Sequence, residues 1–184
     1  MAKKKIEAES LKLKNIDNAA EEKGSIIVTI WQFVKFIVVS LLAMIVQFVL
    51  LNTLQLIPAI KELYTQDFSW LFFVYPVAVG GLGYFIVSNV ANIVAQIVAF
   101  FVNKEKTFNS GANIAVALPI YIGFTIGLIF FSAWLNPTLK EVFVGWELNE
   151  AAAKNIATMI CSAVQFFLYF PVDKILFHQK KEEK

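Results

Sequence analysis

The sequence predicts an all-α integral membrane protein, built from four transmembrane helices as two parallel-repeat hairpins with both termini cytoplasmic. Three observations carry this. The chain divides at its charges into uncharged windows over 36–60, 68–103, 107–139 and 155–172, each close to or above the roughly 20 residues that cross a bilayer. It is 58% hydrophobic with a mean hydropathy of +0.66, far above ordinary soluble usage. Its lysines are unevenly spread. With both ends inside, Lys3, Lys4, Lys5, Lys12, Lys14, Lys23, Lys35, Lys104, Lys106, Lys174, Lys180, Lys181 and Lys184 are cytoplasmic and only Lys61, Lys140 and Lys154 are outside, as the positive-inside rule requires.

Residues 1–25 read as a basic cytoplasmic tail, because charges run through them and no cleavage pattern follows the apolar segment. The membrane part is 26–178, and 179–184 form a second charged tail. The first helix is expected over 27–54. Trp31 and Lys35 mark its inner end, Gln47 lies deeper near the same face, and Pro58 closes it. Phe68 to Pro76 is too short to span and either lies in the interface or dips in and returns. Pro76, Gly80, Gly81 and Gly83 bend the entry to a second helix over 79–102. A third helix is expected over 113–135. Its Gly123 and Gly127 form a GxxxG pair expected to pack inside the chain. Asn136-Pro137 closes it, and a short interfacial helix is expected from Leu139 to Trp146. The fourth is expected over 152–172, with Pro171 distorting its inner end.

Two polar stripes run along this apolar frame. Asn89, Asn92, Gln96 and Asn103 recur at spacings of three, four and seven, and so share a face of the second helix. Asn155, Thr158, Ser162, Gln165, Tyr169 and Asp173 do the same on the fourth. Lipid offers these groups no partner, so they face protein or a polar ligand. A shift of 69 residues lays Gln96 on Gln165, Phe101 on Phe170 and Phe108 on Phe177, which supports two hairpins of like orientation.

Several functions are disfavoured. The chain has no arginine, one cysteine (Cys161) and one histidine (His178). It offers no paired carboxylates, phosphate loop or nucleophile set. Catalysis, metal binding, a cofactor and nucleic-acid binding are therefore not expected. Asp173, the one acid adjoining a helix core, reads as a partner for a lysine. Without an ionisable group in mid-helix, a cation exporter is disfavoured. What remains is a polar path for hydroxyl-rich sugar, lined by Gln47, Asn89, Asn92, Gln96, Ser162, Gln165 and Tyr169. Below it, Lys35, Asn103, Lys104, Lys106, Asp173 and Lys174 are expected to meet as a cradle for a phosphate headgroup. Helix–helix hydrogen bonding is the competing role for the stripes.

The second-helix ending Phe100-Phe101-Val102-Asn103-Lys104-Glu105-Lys106-Thr107-Phe108, the opening Lys35-Phe36-Ile37-Val38-Val39-Ser40, and the partial repeat Asp173-Lys174-Ile175-Leu176-Phe177 resemble the GtrA-like membrane proteins over roughly 30–178. The family often has glycine where Ser40 stands and an acid near Gln47. The resemblance implies a flippase of the bacterial plasma membrane. It would translocate a polyprenyl-phosphate-linked (undecaprenyl-type) sugar from the inner to the outer leaflet, for polysaccharide biosynthesis or teichoic acid glycosylation of the cell envelope. Its implied partners are a polyprenyl-phosphate glycosyltransferase, an outer-face glycosyltransferase, membrane lipid and, given so small a bundle, a further copy as a homo-oligomer. The alternative is a non-transporting assembly or anchoring subunit of a glycosyltransferase complex.

Overall fold

The computed structural model describes residues 14–178; Lys3, Lys4, Lys5, Lys12 and the 179–184 tail lie outside the described residues. Helix α1 covers 14–22. Four long helices follow: α2 (Ser25–Leu54), α4 (Gly81–Val102), α5 (Ile114–Gly145) and α6 (Glu150–Leu176), with a short α3 (Pro58–Leu63) after the first. Each long segment is apolar enough to cross a membrane, so the protein is a multi-pass membrane protein. Helix α2 packs on α4 and α5 on α6, and α4 with α5 joins the pairs.

Prolines act differently from the sequence expectation. Pro58 does not end α2, which stops at Leu54; it opens α3 at the first helical turn, where its fixed φ fits and its missing N–H costs nothing. Asn136-Pro137 does not end α5, which runs on to Gly145 and absorbs the segment expected as a separate interfacial helix. The loss of a proline N–H is tolerated in a span when nearby hydroxyls re-satisfy the backbone. Here a neighbouring helix holds the proline turn, with Asn136 Nδ2 donating to Thr158 Oγ1 on α6 at 3.1 Å, and Thr138 Oγ1 adds a bond to the Trp134 carbonyl at 2.9 Å in the same turn. Likewise α6 continues through Pro171.

The connection between α3 and α4 contains a β-hairpin, which neither an interfacial nor a re-entrant expectation named. Phe68–Trp70 (β1) pairs antiparallel with Phe73–Tyr75 (β2) around a turn in which Leu71 has φ 52°. Aromatic and β-branched residues suit a pleated, half-buried surface. The rings anchor it: Phe68 stacks on Phe85 of α4 at 4.3 Å, Phe73 meets Phe85 edge-on at 5.1 Å, and Phe73 and Trp70 meet Phe130 of α5 at 5.2 and 5.8 Å. Asp67 accepts the Val77 N–H at 2.7 Å. Burial, with Tyr84 beside them, raises the Tyr64 and Tyr75 hydroxyls above the usual tyrosine range.

Two glycines make this junction possible. Gly81 has φ 54°, and a Cβ there would stand 2.2 Å from the Gln66 carbonyl oxygen. A Cβ on Gly83 would stand 2.2 Å from the Tyr64 ring and 2.7 Å from its backbone nitrogen. Gly123 and Gly127 differ: a Cβ on either meets nothing within 4 Å. Their GxxxG face therefore packs on no other element, contrary to the expected packing inside the chain. Gly83→Leu is accordingly expected to destabilise the bundle by roughly 2 kcal/mol through overpacking, whereas Gly127→Ala stays neutral or stabilises slightly. Reversible unfolding in mixed micelles reads both.

At α4 the buried row is Gly83, Val87, Ala91, Ala95, Ala99, Asn103 and Thr107, small residues at every fourth position that let helices approach closely. A step of four in an α-helix drifts about 40° around the axis. This row and the carboxamide stripe therefore diverge near Asn89 and converge near Asn103. Asn89 and Asn92 are only half-buried, and Asn89 Nδ2 turns back to the Phe85 carbonyl at 2.7 Å.

Candidate functional site

Where the two rows converge, α4 opens into a π-helical turn over Asn103–Thr107, closed by the Phe108 N–H on the Asn103 carbonyl at 2.9 Å. Such widened turns recur at functional sites. The extra residue turns Asn103, Lys104 and Thr107 all inward.

Asn103 is the centre of a buried polar knot. Its Nδ2 donates to Asp173 Oδ2 on α6 at 2.7 Å, and its Oδ1 accepts from Thr107 Oγ1 at 2.8 Å. Asp173 is 0% exposed and its Oδ1 has no hydrogen-bond partner. The expectation that Asp173 serves a lysine at the membrane edge is thereby corrected: its partner is a carboxamide. Residues 103 and 173 stand 70 apart, and a 70-residue shift lays Phe100-Phe101-Val102-Asn103-Lys104 on Phe170-Pro171-Val172-Asp173-Lys174. That match is stronger than the one at 69, and the hydrogen bond joins its equivalent positions.

Deeper in the bundle lies a cavity of about 160 Å³ lined by α2, α4, α5 and α6. Gln47, Gln96, Asn103, Ser162, Gln165 and Tyr169 all line it, with Ser40 and Tyr121. Six residues from the two expected groups thus share one wall system; Asn89 and Asn92 are not on it. The partnering is partial. Gln96 Oε1 accepts from Tyr121 OH at 3.0 Å, Gln165 Nε2 donates to Ser132 Oγ, and Tyr169 OH donates to Thr125 Oγ1 at 3.1 Å. Among the described residues, the Gln96 amide nitrogen, the Gln165 carbonyl oxygen and the whole Gln47 amide have no such partner, so each keeps capacity for a guest. Ser162 instead donates to the Thr158 carbonyl at 2.9 Å. Met44 on α2 is 59% exposed and Ser162 on α6 is exposed too, so the rim between these helices faces sideways out of the bundle.

Toward the lysines the cavity is shut. Phe36 and Phe166 on its wall pack 5.1 Å apart, and Phe33 meets Phe170 at 5.0 Å behind them. The lysines do not converge on one point as expected. Lys35 pairs with Asp17 of α1 at 2.9 Å. Lys104 is buried, with Nζ on the Ser110 carbonyl at 3.0 Å and Glu105 at 3.4 Å. Lys174 donates to Thr29 at 2.7 Å, and Lys106 is exposed. Among the described residues each of these ammoniums has a local partner except that of Lys106.

Tyr121, with its neighbours Thr125 and Ser132, was not singled out from the sequence. The signal existed: these three hydroxyls recur at spacings of four and seven in an otherwise apolar helix, a third polar stripe. Among the described residues no cluster of ligating side chains could hold a metal. Comparison with known proteins finds no family model, no curated protein and no solved structure that matches the chain.

Proposed function

We propose that the protein is a GtrA-like flippase that carries a polyprenyl-phosphate-linked sugar from the inner to the outer leaflet of a bacterial plasma membrane, with the lysine end cytoplasmic. The observation that carries this is the convergence of Gln47, Gln96 and Gln165, from three helices, on one cavity with unspent hydrogen-bonding groups. Crossing hydrocarbon costs a sugar its hydrogen bonds to water, and neutral donors and acceptors offset that loss without fixing a charge. A sideways rim between α2 and α6 lets the headgroup enter while the isoprenoid stays in lipid. Exposed Lys106, and Lys35, Lys104 and Lys174 once released from their local partners, attract the phosphate at the inner leaflet. The shift of 70 residues supports two hairpins as parallel repeats about an axis near the Asn103–Asp173 bond.

The test is reconstitution of the full chain in liposomes with a labelled polyprenyl-phosphate hexose. The account expects label to reach the opposite leaflet far faster than in protein-free liposomes; equal rates would defeat it. One observation favours an assembly role beside this: the open GxxxG face at Gly123 and Gly127 suits a neighbouring helix, of a glycosyltransferase or of a second copy. A protein that moves no lipid yet alters a co-purifying transferase would establish that role instead.

A further inference from the structure

Asp173 is the one acid buried inside the bundle among the described residues. An ionised carboxylate in such a place demands a counter-charge. The lysines on the elements packed around it are engaged elsewhere, and Lys106 on the π turn is exposed. On α2, Lys35 is held by Asp17. On the π turn, Lys104 is turned to Ser110 and Glu105. On α6 itself, Lys174 reaches Thr29. The neighbours that do face Asp173 are neutral: Asn103 bonds it, and the hydroxyl-bearing rings of Tyr121 on α5 and Tyr169 on α6 lie close by. A metal cation is a poor fit, because a hard cation needs several oxygen ligands and only Oδ1 is unspent. A proton needs only that one oxygen.

The geometry points to Asp173 as a proton-exchange site that couples the cavity to a proton gradient. The coupling rests on the flippase reading. With the aromatic plug shut, as here, Oδ1 holds a proton taken from the outer side. When the plug parts, Asp173 meets cytoplasmic water and releases that proton, and the Asn103 amide, which lines the cavity and holds Oδ2, transmits the change to the sugar site. One proton moves inward for each sugar moved outward, with no bond made or broken besides the O–H of Asp173. The absence of mid-helix charge argued against such coupling from sequence; the closure of α6 over position 173 supplies the missing carboxylate.

Two readouts test this, and they fail separately. Infrared difference spectra of the full chain in nanodiscs at neutral pH are expected to show a protonated-carboxyl carbonyl band that Asp173→Asn lacks and Asp173→Glu keeps at a shifted frequency. No such band in the wild type overturns the proton site without reference to transport. In proteoliposomes with the lysine end inside, external acidification is expected to speed outward movement of labelled polyprenyl-phosphate hexose at least fivefold. Asp173→Asn is expected to be slower and indifferent to the gradient. Movement by the wild type at one rate with and without the gradient overturns the coupling and leaves the flippase reading intact. No movement in either condition overturns both the flippase reading and the coupling, while the carbonyl band still reports the proton site.

Discussion

Replacing Gln96 and Gln165 together by leucine is expected to slow translocation of a polyprenyl-phosphate hexose by about a hundredfold while leaving the helical fold in place. The two carboxamides line the cavity from α4 and α6, and each has one half without a partner among the described residues. A sugar hydroxyl crossing without its partner loses roughly 1.5 kcal/mol, and two such losses raise the barrier by about 3 kcal/mol, near two decades in rate. Their internal partners are hydroxyls: Tyr121 loses an acceptor and Ser132 a donor, and both can rotate to other partners, so the fold suffers less than the rate does. Initial rates in proteoliposomes, beside far-ultraviolet circular dichroism, separate the two effects. Rates within twofold of the wild type would remove the carboxamides from the path.

Asn103→Leu is expected to be the most destabilising single change at the lysine end, by roughly 3 kcal/mol. It strips the Asp173 carboxyl of its only hydrogen bond among the described residues and leaves the Thr107 hydroxyl without its acceptor. Breaking one side of a buried polar pair costs far more than the pair is worth. The double variant Asn103→Leu/Asp173→Leu is therefore expected to regain most of that loss, since replacing both partners by apolar groups is close to neutral. A denaturant series in mixed micelles gives the cycle. A single variant that loses less than 1 kcal/mol, or a double variant no better than the single, would show that the knot does not hold this end together.

The four spans were legible because lipid forbids charge, and Lys61, Lys104 and Lys140 punctuate the chain at bilayer lengths. The helix ends were not, because proline reads as a stop in water, whereas in a span a helix held by its neighbours, as Asn136 holds α5 to Thr158 of α6, runs on through it. The polar part of the cavity was legible in Gln47, Gln96, Asn103, Ser162, Gln165 and Tyr169. Asn89 and Asn92 lie off the cavity for a geometric reason: a stripe that keeps one helix face does not keep one neighbour, because the packed row of Gly83, Ala91 and Ala99 winds around α4. The burial of Asp173 was hidden because the fourth helix was expected to end at 172, just short of it. Once α6 runs to Leu176, position 173 lies inside the packed bundle beside Asn103.

The lipid selectivity of translocation tests the central claim most directly. Liposomes holding the full chain, a labelled polyprenyl-phosphate hexose and a labelled phosphatidylcholine report both lipids at once. The cavity accounts for rapid movement of the sugar lipid, with phosphatidylcholine no faster than in protein-free liposomes. Equal acceleration of both lipids, or of neither, would contradict it.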